Sequence, residues 1–115
     1  MSEQEILKML KTDLDNPGSY KSGEYLEDQA YIHLVKVLKT DREGIISALR
    51  YFMELRSEPE SMLAVRLAER LGIYEVIPNI IKIGEEIKRG EVFKEFYSFW
   101  IDKAVKTLSN NPEVQ

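Results

Sequence analysis

His33 is the only histidine in a chain of 115 residues that has no cysteine. Together these two facts remove most side-chain metal and nucleophile chemistry. A multi-His metal site, a His-Glu-x-x-His zinc motif and a paired His-Glu di-iron centre each need a second histidine, and thiolate ligands and disulfides need cysteine. A Ser–His–acid nucleophile would have to use His33 as its base, and no Gly-x-Ser-x-Gly turn accompanies it. Gly84 and Gly90 stand alone, outside any phosphate-loop or dinucleotide pattern. Carboxylates recur at helical neighbour spacing in Glu24 with Asp28 and in Glu91 with Glu95. Such pairs can hold a hard cation or share a proton. Both, however, fall in opening turns of predicted helices, where the dipole favours solvated negative charge. His33 sits at the edge of an apolar stripe with Gln29 and Lys36 as polar neighbours, the setting of a half-buried structural histidine. Glu27 projects into the apolar arc of the same helix, which predicts an exposed first turn, or else a buried partner such as an Arg. The expectation is a protein that is not an enzyme, with no metal and no cofactor.

The elements that would position these residues are helical. Four prolines and six glycines divide the chain into six stretches whose apolar residues recur at helical rather than alternating spacing. The first, Ser2 to about Leu14, has Ser2 and Glu5 in capping-box spacing and Ile6, Leu7, Leu10 and Leu14 on one face. The cluster from Asp15 to Ser19 stops it. The second, about Ser22 to Lys39, points Leu26, Ala30, Leu34, Val37 and Leu38 inward. A second box, Thr40 with Glu43, opens the third, whose face runs from Ile45 through Met53 to Leu55. A third box, Ser57 with Glu60, opens the fourth, with Pro59 in the first turn and Gly72 as a left-handed cap. The fifth carries Val76, Ile77, Ile80, Ile81, Gly84 and Ile87 on one side, with Pro78 in its first turn. Lys88, Arg89 and Gly90 close it.

The sixth stretch is expected from about Glu91 to Leu108. At about 100° per residue, Val92, Phe93, Phe96, Tyr97, Phe99, Trp100, Ile101, Ala104 and Leu108 would cover about 200°, about twice an ordinary helix stripe. Such a helix should be packed on two sides or against a partner. Short links make consecutive helices antiparallel neighbours, so the expected fold is all-α, with six helices in three antiparallel hairpins. It forms one domain over residues 1–108, followed by a flexible tail over 109–115.

A resemblance enters with Glu58-Pro59-Glu60, then Leu63-Ala64-Val65-Arg66-Leu67-Ala68-Glu69-Arg70-Leu71-Gly72, then Val76-Ile77-Pro78. This segment resembles HEAT-type helical repeats, in which a helix with Val-Arg, spaced small residues and Leu-Gly precedes one that starts near an apolar-apolar-Pro segment. The likeness covers residues 58–87. It implies a short stack of hairpins serving as a scaffold or binding surface; the alternative is a compact bundle without repeats.

Charge narrows the partner class. The net charge of −4 is spread evenly, without the basic block that neutralises phosphates. No apolar run approaches the ~18 residues of a membrane span, and the first residues are acidic where a signal peptide is basic, so the expected location is the cytoplasm. Apolar residues on polar helix sides are the better lead: Tyr25 and Ile32 on the second helix, and Met62 beside Arg66 and Arg70 on the fourth. With Tyr97 and Trp100 of the sixth they form the expected partner-binding set, since Arg beside exposed Met or Tyr matches interface cores. The expected function is protein–protein interaction, with a second copy of the chain among the candidate partners. The second reading is nucleic-acid association through a folded patch of Arg66, Arg70, Lys82, Lys88, Arg89 and Lys94. The third is a small-ligand pocket or enzyme beneath Phe93, Tyr97 and Trp100.

Overall fold

The computed structural model describes residues 3–15 and 23–110. Six α-helices follow one another: α1 (Glu3–Asp15), α2 (Gly23–Leu38), α3 (Arg42–Glu54), α4 (Glu58–Leu71), α5 (Ile77–Lys88) and α6 (Tyr97–Ser109), with one 3-10 turn, Tyr74–Val76, ahead of α5. No strand occurs among the described residues, and the protein is all-α. Its contacts gather into two compact units, Met1–Ala48 and Leu49–Gln115.

In the first unit α1 packs on α2. Ile6 and Leu10 of α1 and Ala30, Leu34 and Val37 of α2 are buried, as their i, i+3 and i+4 spacing requires. His33 is half-buried. Glu27 corrects the expectation of exposure: its residue is only 7% exposed, because it lies within the apolar arc that packs inward. The second capping box is displaced by one residue. Asp41, not Thr40, accepts the Gly44 N–H, through Oδ1 at 2.9 Å, whereas the Thr40 hydroxyl donates back to the Val37 carbonyl at 3.2 Å and closes α2. Asp outranks Thr at an N-cap, and Thr40 is needed by the preceding helix. The Ser2–Glu5 box involves a residue outside those described.

In the second unit the C-terminal carbonyls of α3 are satisfied by side chains from beyond it. The Ser61 hydroxyl, fully buried on α4, reaches the Phe52 and Met53 carbonyls at 2.9 and 3.3 Å. Arg56 adds Nη1 to the Met53 carbonyl and forks onto Glu86 of α5, with Nε and Nη2 at 2.8 and 2.9 Å from its two oxygens. Arg56 does this from a left-handed backbone, φ 52°. Six residues earlier, Arg50 reaches the Glu75 carbonyl and Asn79. Partners on α5 therefore advance as residues on α3 advance, so the end of α3 and α5 run in the same direction. The same holds for α4 and α6, where Tyr97 donates to Glu58, Arg66 lies over Trp100 and Thr107 donates to Glu69.

The α4 helix is the most enclosed. Ser61 through Val65 are all buried, and so are Leu67, Ala68 and Leu71. This overturns the outward placement of Met62, which is 8% exposed: α4 is covered all round from Ser61 to Val65 rather than along one stripe. Ser57 is the N-cap with extended backbone, but its hydroxyl makes no cap bond. Gly72 closes α4 in the left-handed conformation, φ 71°, with its own N–H and that of Ile73 on the Ala68 carbonyl. Pro78 lies in the first turn of α5, as expected. The buried face of α5 is Ile80, Ile83, Gly84 and Ile87, leaving Ile81 42% exposed, and Leu55 falls beyond the end of α3 at 46%. Gly84 permits the close approach of α6, since a Cβ there would stand 2.9 Å from Ile101 Cγ2.

Two changes test this arrangement. The hydrogen bond from Arg56 holds the Glu86 carboxyl below its ordinary range. Its contribution is therefore complete above the pKa of an unfolded Glu, about 4.3, and is lost as pH falls through the lower native value. Glu86→Gln should cost about 2 kcal/mol of denaturant-measured stability at neutral pH, with the difference shrinking only in acid. Gly84→Ala should destabilise by about 1 kcal/mol, because overpacking of about 1–3 kcal/mol exceeds the helix-propensity gain. Chemical denaturation at fixed pH reads both.

Candidate interaction surface

The chain between α5 and α6 does not continue as helix. Gly90 is left-handed, φ 74°, and the Glu91 N–H returns to the Glu86 carbonyl at 2.9 Å, which ends α5. Glu91 is then taken by Arg89, Nε to Oε1 at 2.5 Å, so it forms no helical pair with Glu95. Phe93 is left-handed as well, φ 51°, and α6 begins only at Tyr97, without a side-chain cap. This corrects the expected start at Glu91 and the arc of about 200°: Val92, Phe93 and Phe96 precede the helix. Phe93 stays half-buried with its ring edge-on to Tyr97, centroids 6.1 Å apart, and Phe96 lies 4.3 Å from Tyr97.

On α6 itself Ile101, Ala104 and Leu108 face the core. One flank of that stripe meets α4. There Trp100 is half-buried, with the Arg66 guanidinium 4.8 Å and the Lys103 ammonium 5.5 Å from its ring. Phe99 stands edge-on to Trp100 at 5.4 Å. Phe99 and Phe96, 67% and 58% exposed, are the two most exposed large apolar side chains among the described residues. The result is an aromatic ridge bordered by cations.

The expected partner-binding residues separate accordingly. Arg66, Tyr97 and Trp100 come together on the α4–α6 seam, and Arg70 lies exposed one turn beyond Arg66. Met62 is interior. Ile32 is 57% exposed in the first unit, and the side chain of Tyr25 lies outside the described part. Phe96, Phe99 and Lys103 were not in the expected set. Phe99 was nevertheless identifiable, because at about 100° per residue it falls between Asp102 and Lys103, among the polar residues of α6.

Lys88 faces Asp102 at 3.9 Å and Arg89 is engaged by Glu85 and Glu91, while Arg66 lies on Trp100. A groove of about 320 Å³ on the opposite flank of α6 is lined by Ile81, Gly84, Ile101 and Val105 together with Glu85, Lys88, Asp102 and Lys106. Among the described residues no three potential metal ligands cluster, and no helix is long and apolar enough to cross a membrane. No family model, curated protein or solved structure matches the chain.

The seam has a measurable electrostatic signature. The hydrogen bond from Tyr97 to Glu58, with help from burial, pushes the phenol up to about 12. Glu58→Ala should return Tyr97 toward the ordinary value of about 10, read from the ring-carbon chemical shift as pH rises.

Proposed function

We propose that this chain is a non-enzymatic protein-binding module, a short HEAT-like helical stack that presents the aromatic ridge of α6 to a protein partner. The observation that carries the reading is Phe99: two-thirds exposed, edge-on to a tryptophan that two cations border. Aromatic and Arg side chains are enriched at the centres of protein interfaces. The parallel courses of the end of α3 with α5, and of α4 with α6, support the stacked-hairpin reading, since hairpins stacked in register align in this way. The lone, half-buried His33 and the scarcity of convergent polar groups favour binding over catalysis.

Affinity isolation from the native host, with bound proteins identified by mass spectrometry, tests the proposal. A partner retained by the native chain should be lost with Phe99→Ala and weakened with Arg70→Ala, at unchanged helicity by circular dichroism. If every retained protein binds the Phe99→Ala variant equally, the ridge is not the interface. Mass in solution across a concentration series identifies whether the partner is a second copy. Retention of short oligonucleotides at low salt, where phosphate contacts are strongest, would instead support nucleic-acid association.

A further inference from the structure

The ridge has an internal order that restricts what can lie on it. Phe96, at the N-cap of α6, and Phe99 and Lys103 on the helix follow one another at i, i+3 and i+7, so the Cβ atoms of Phe99 and Lys103 are about one turn, about 5–6 Å, apart. Lys103 is exposed, its ammonium rests near the Trp100 ring, and among the described residues no carboxylate pairs with it. A ring attracts a cation but accepts no ordinary N–H hydrogen bonds, so a carboxylate can be added without displacing an existing ion pair. The acids nearest on the seam are already hydrogen-bonded, Glu58 by Tyr97 and Glu69 by Thr107. The contrast lies on the other flank, where Lys88 already faces Asp102.

We propose that the ridge takes an extended, acidic peptide segment in which an apolar residue is followed two positions later by Asp or Glu. In an extended chain, residues two apart project from the same side about 6.6 Å from each other. That span is close to the Cβ spacing of Phe99 and Lys103. The apolar side chain rests on Phe99 and the carboxylate meets Lys103. This inference rests on the protein-binding reading and adds the chemistry of the partner.

Trp100 is the only tryptophan in the chain and sits beneath the ridge, so its fluorescence reports occupancy directly. The probes are eight-residue Gly/Ser peptides that carry Leu and Glu two apart, the same peptide with Lys for Glu, and one with Leu and Glu adjacent. The full-length chain should show a saturable change in Trp100 emission with the first peptide, weakening as salt rises. Lys103→Glu and Phe99→Ala should each raise its dissociation constant about tenfold or more, about 1.4 kcal/mol; both positions are exposed, and circular dichroism verifies the fold. No saturable change up to millimolar peptide, equal binding of the Lys peptide, or equal binding of the adjacent-spaced peptide overturns the proposal. So does preferential binding of an oligothymidylate. A native partner lost with Phe99→Ala whose contacting segment is not acidic would overturn this chemistry and leave the protein-binding function standing.

Discussion

The second unit depends on Arg56. This residue follows the end of α3 in a left-handed backbone that costs an ordinary L-residue about 1–2 kcal/mol, yet it is the point from which one guanidinium both closes α3 through the Met53 carbonyl and forks onto Glu86 of α5. The pair is largely sheltered, with side chains 21% and 13% exposed, so each charge needs the other. Arg50, six residues earlier, reaches Asn79 of α5, and the order of the two contacts fits parallel courses for the end of α3 and α5. The helices that follow them, α4 and α6, run parallel too, with Arg66 over Trp100.

Most helices were legible because apolar spacing and punctuation agreed. Gly72 and Gly90 ended α4 and α5 where a left-handed residue was needed, and Pro78 marked the first turn of α5. Where the reading failed, two signals competed for the same residue. Thr40 and Asp41 can both cap, and the local demand of α2 for a donor at Val37 decided between them. Ile81 was read into the inward face although Ile80, Ile83, Gly84 and Ile87 already stand at i, i+3, i+4 and i+7, and it is this stripe that is buried, with Gly84 against α6. The sixth helix was drawn too long because Val92, Phe93 and Phe96 suit an apolar arc in type. No helix-capping residue stands before Tyr97, and a left-handed Phe93 could not be read from side-chain pattern.

The surface was legible in its chemistry more than in its geometry. Arg66, Tyr97 and Trp100 were expected in one partner-binding set by type, and the structure brings these three side chains together on the α4–α6 seam. Met62 was misplaced because helical phase describes one buried stripe, whereas α4 is enclosed all round from Ser61 to Val65. Glu27 shows the same limit: a charge within an apolar arc reads as exposed until the surrounding packing is known. Phe99 was assigned to a packed arc, although its neighbours on the helix are Asp102 and Lys103. A large apolar residue surrounded by charges is a stronger interface signal than one that extends a stripe.

Energetics then limit what kind of binding the ridge can support. Fully covering an exposed phenylalanine side chain stabilises by about 1.5–3 kcal/mol, so Phe96 and Phe99, 58% and 67% exposed, together supply about 2–4 kcal/mol. Association costs at least about 4 kcal/mol in lost freedom before any segment is ordered. The aromatic pair alone therefore at best breaks even, and affinity must come from what borders it. An exposed ion pair adds about 1 kcal/mol or less, and more once a partner excludes water from it. Binding should be weak and salt-sensitive for an isolated peptide. A partner that also covers Trp100 and Arg66 would bind more tightly, because the cations then act in a drier medium. On the proposed reading the cations beside Trp100 would provide discrimination, and the phenylalanines most of the contact.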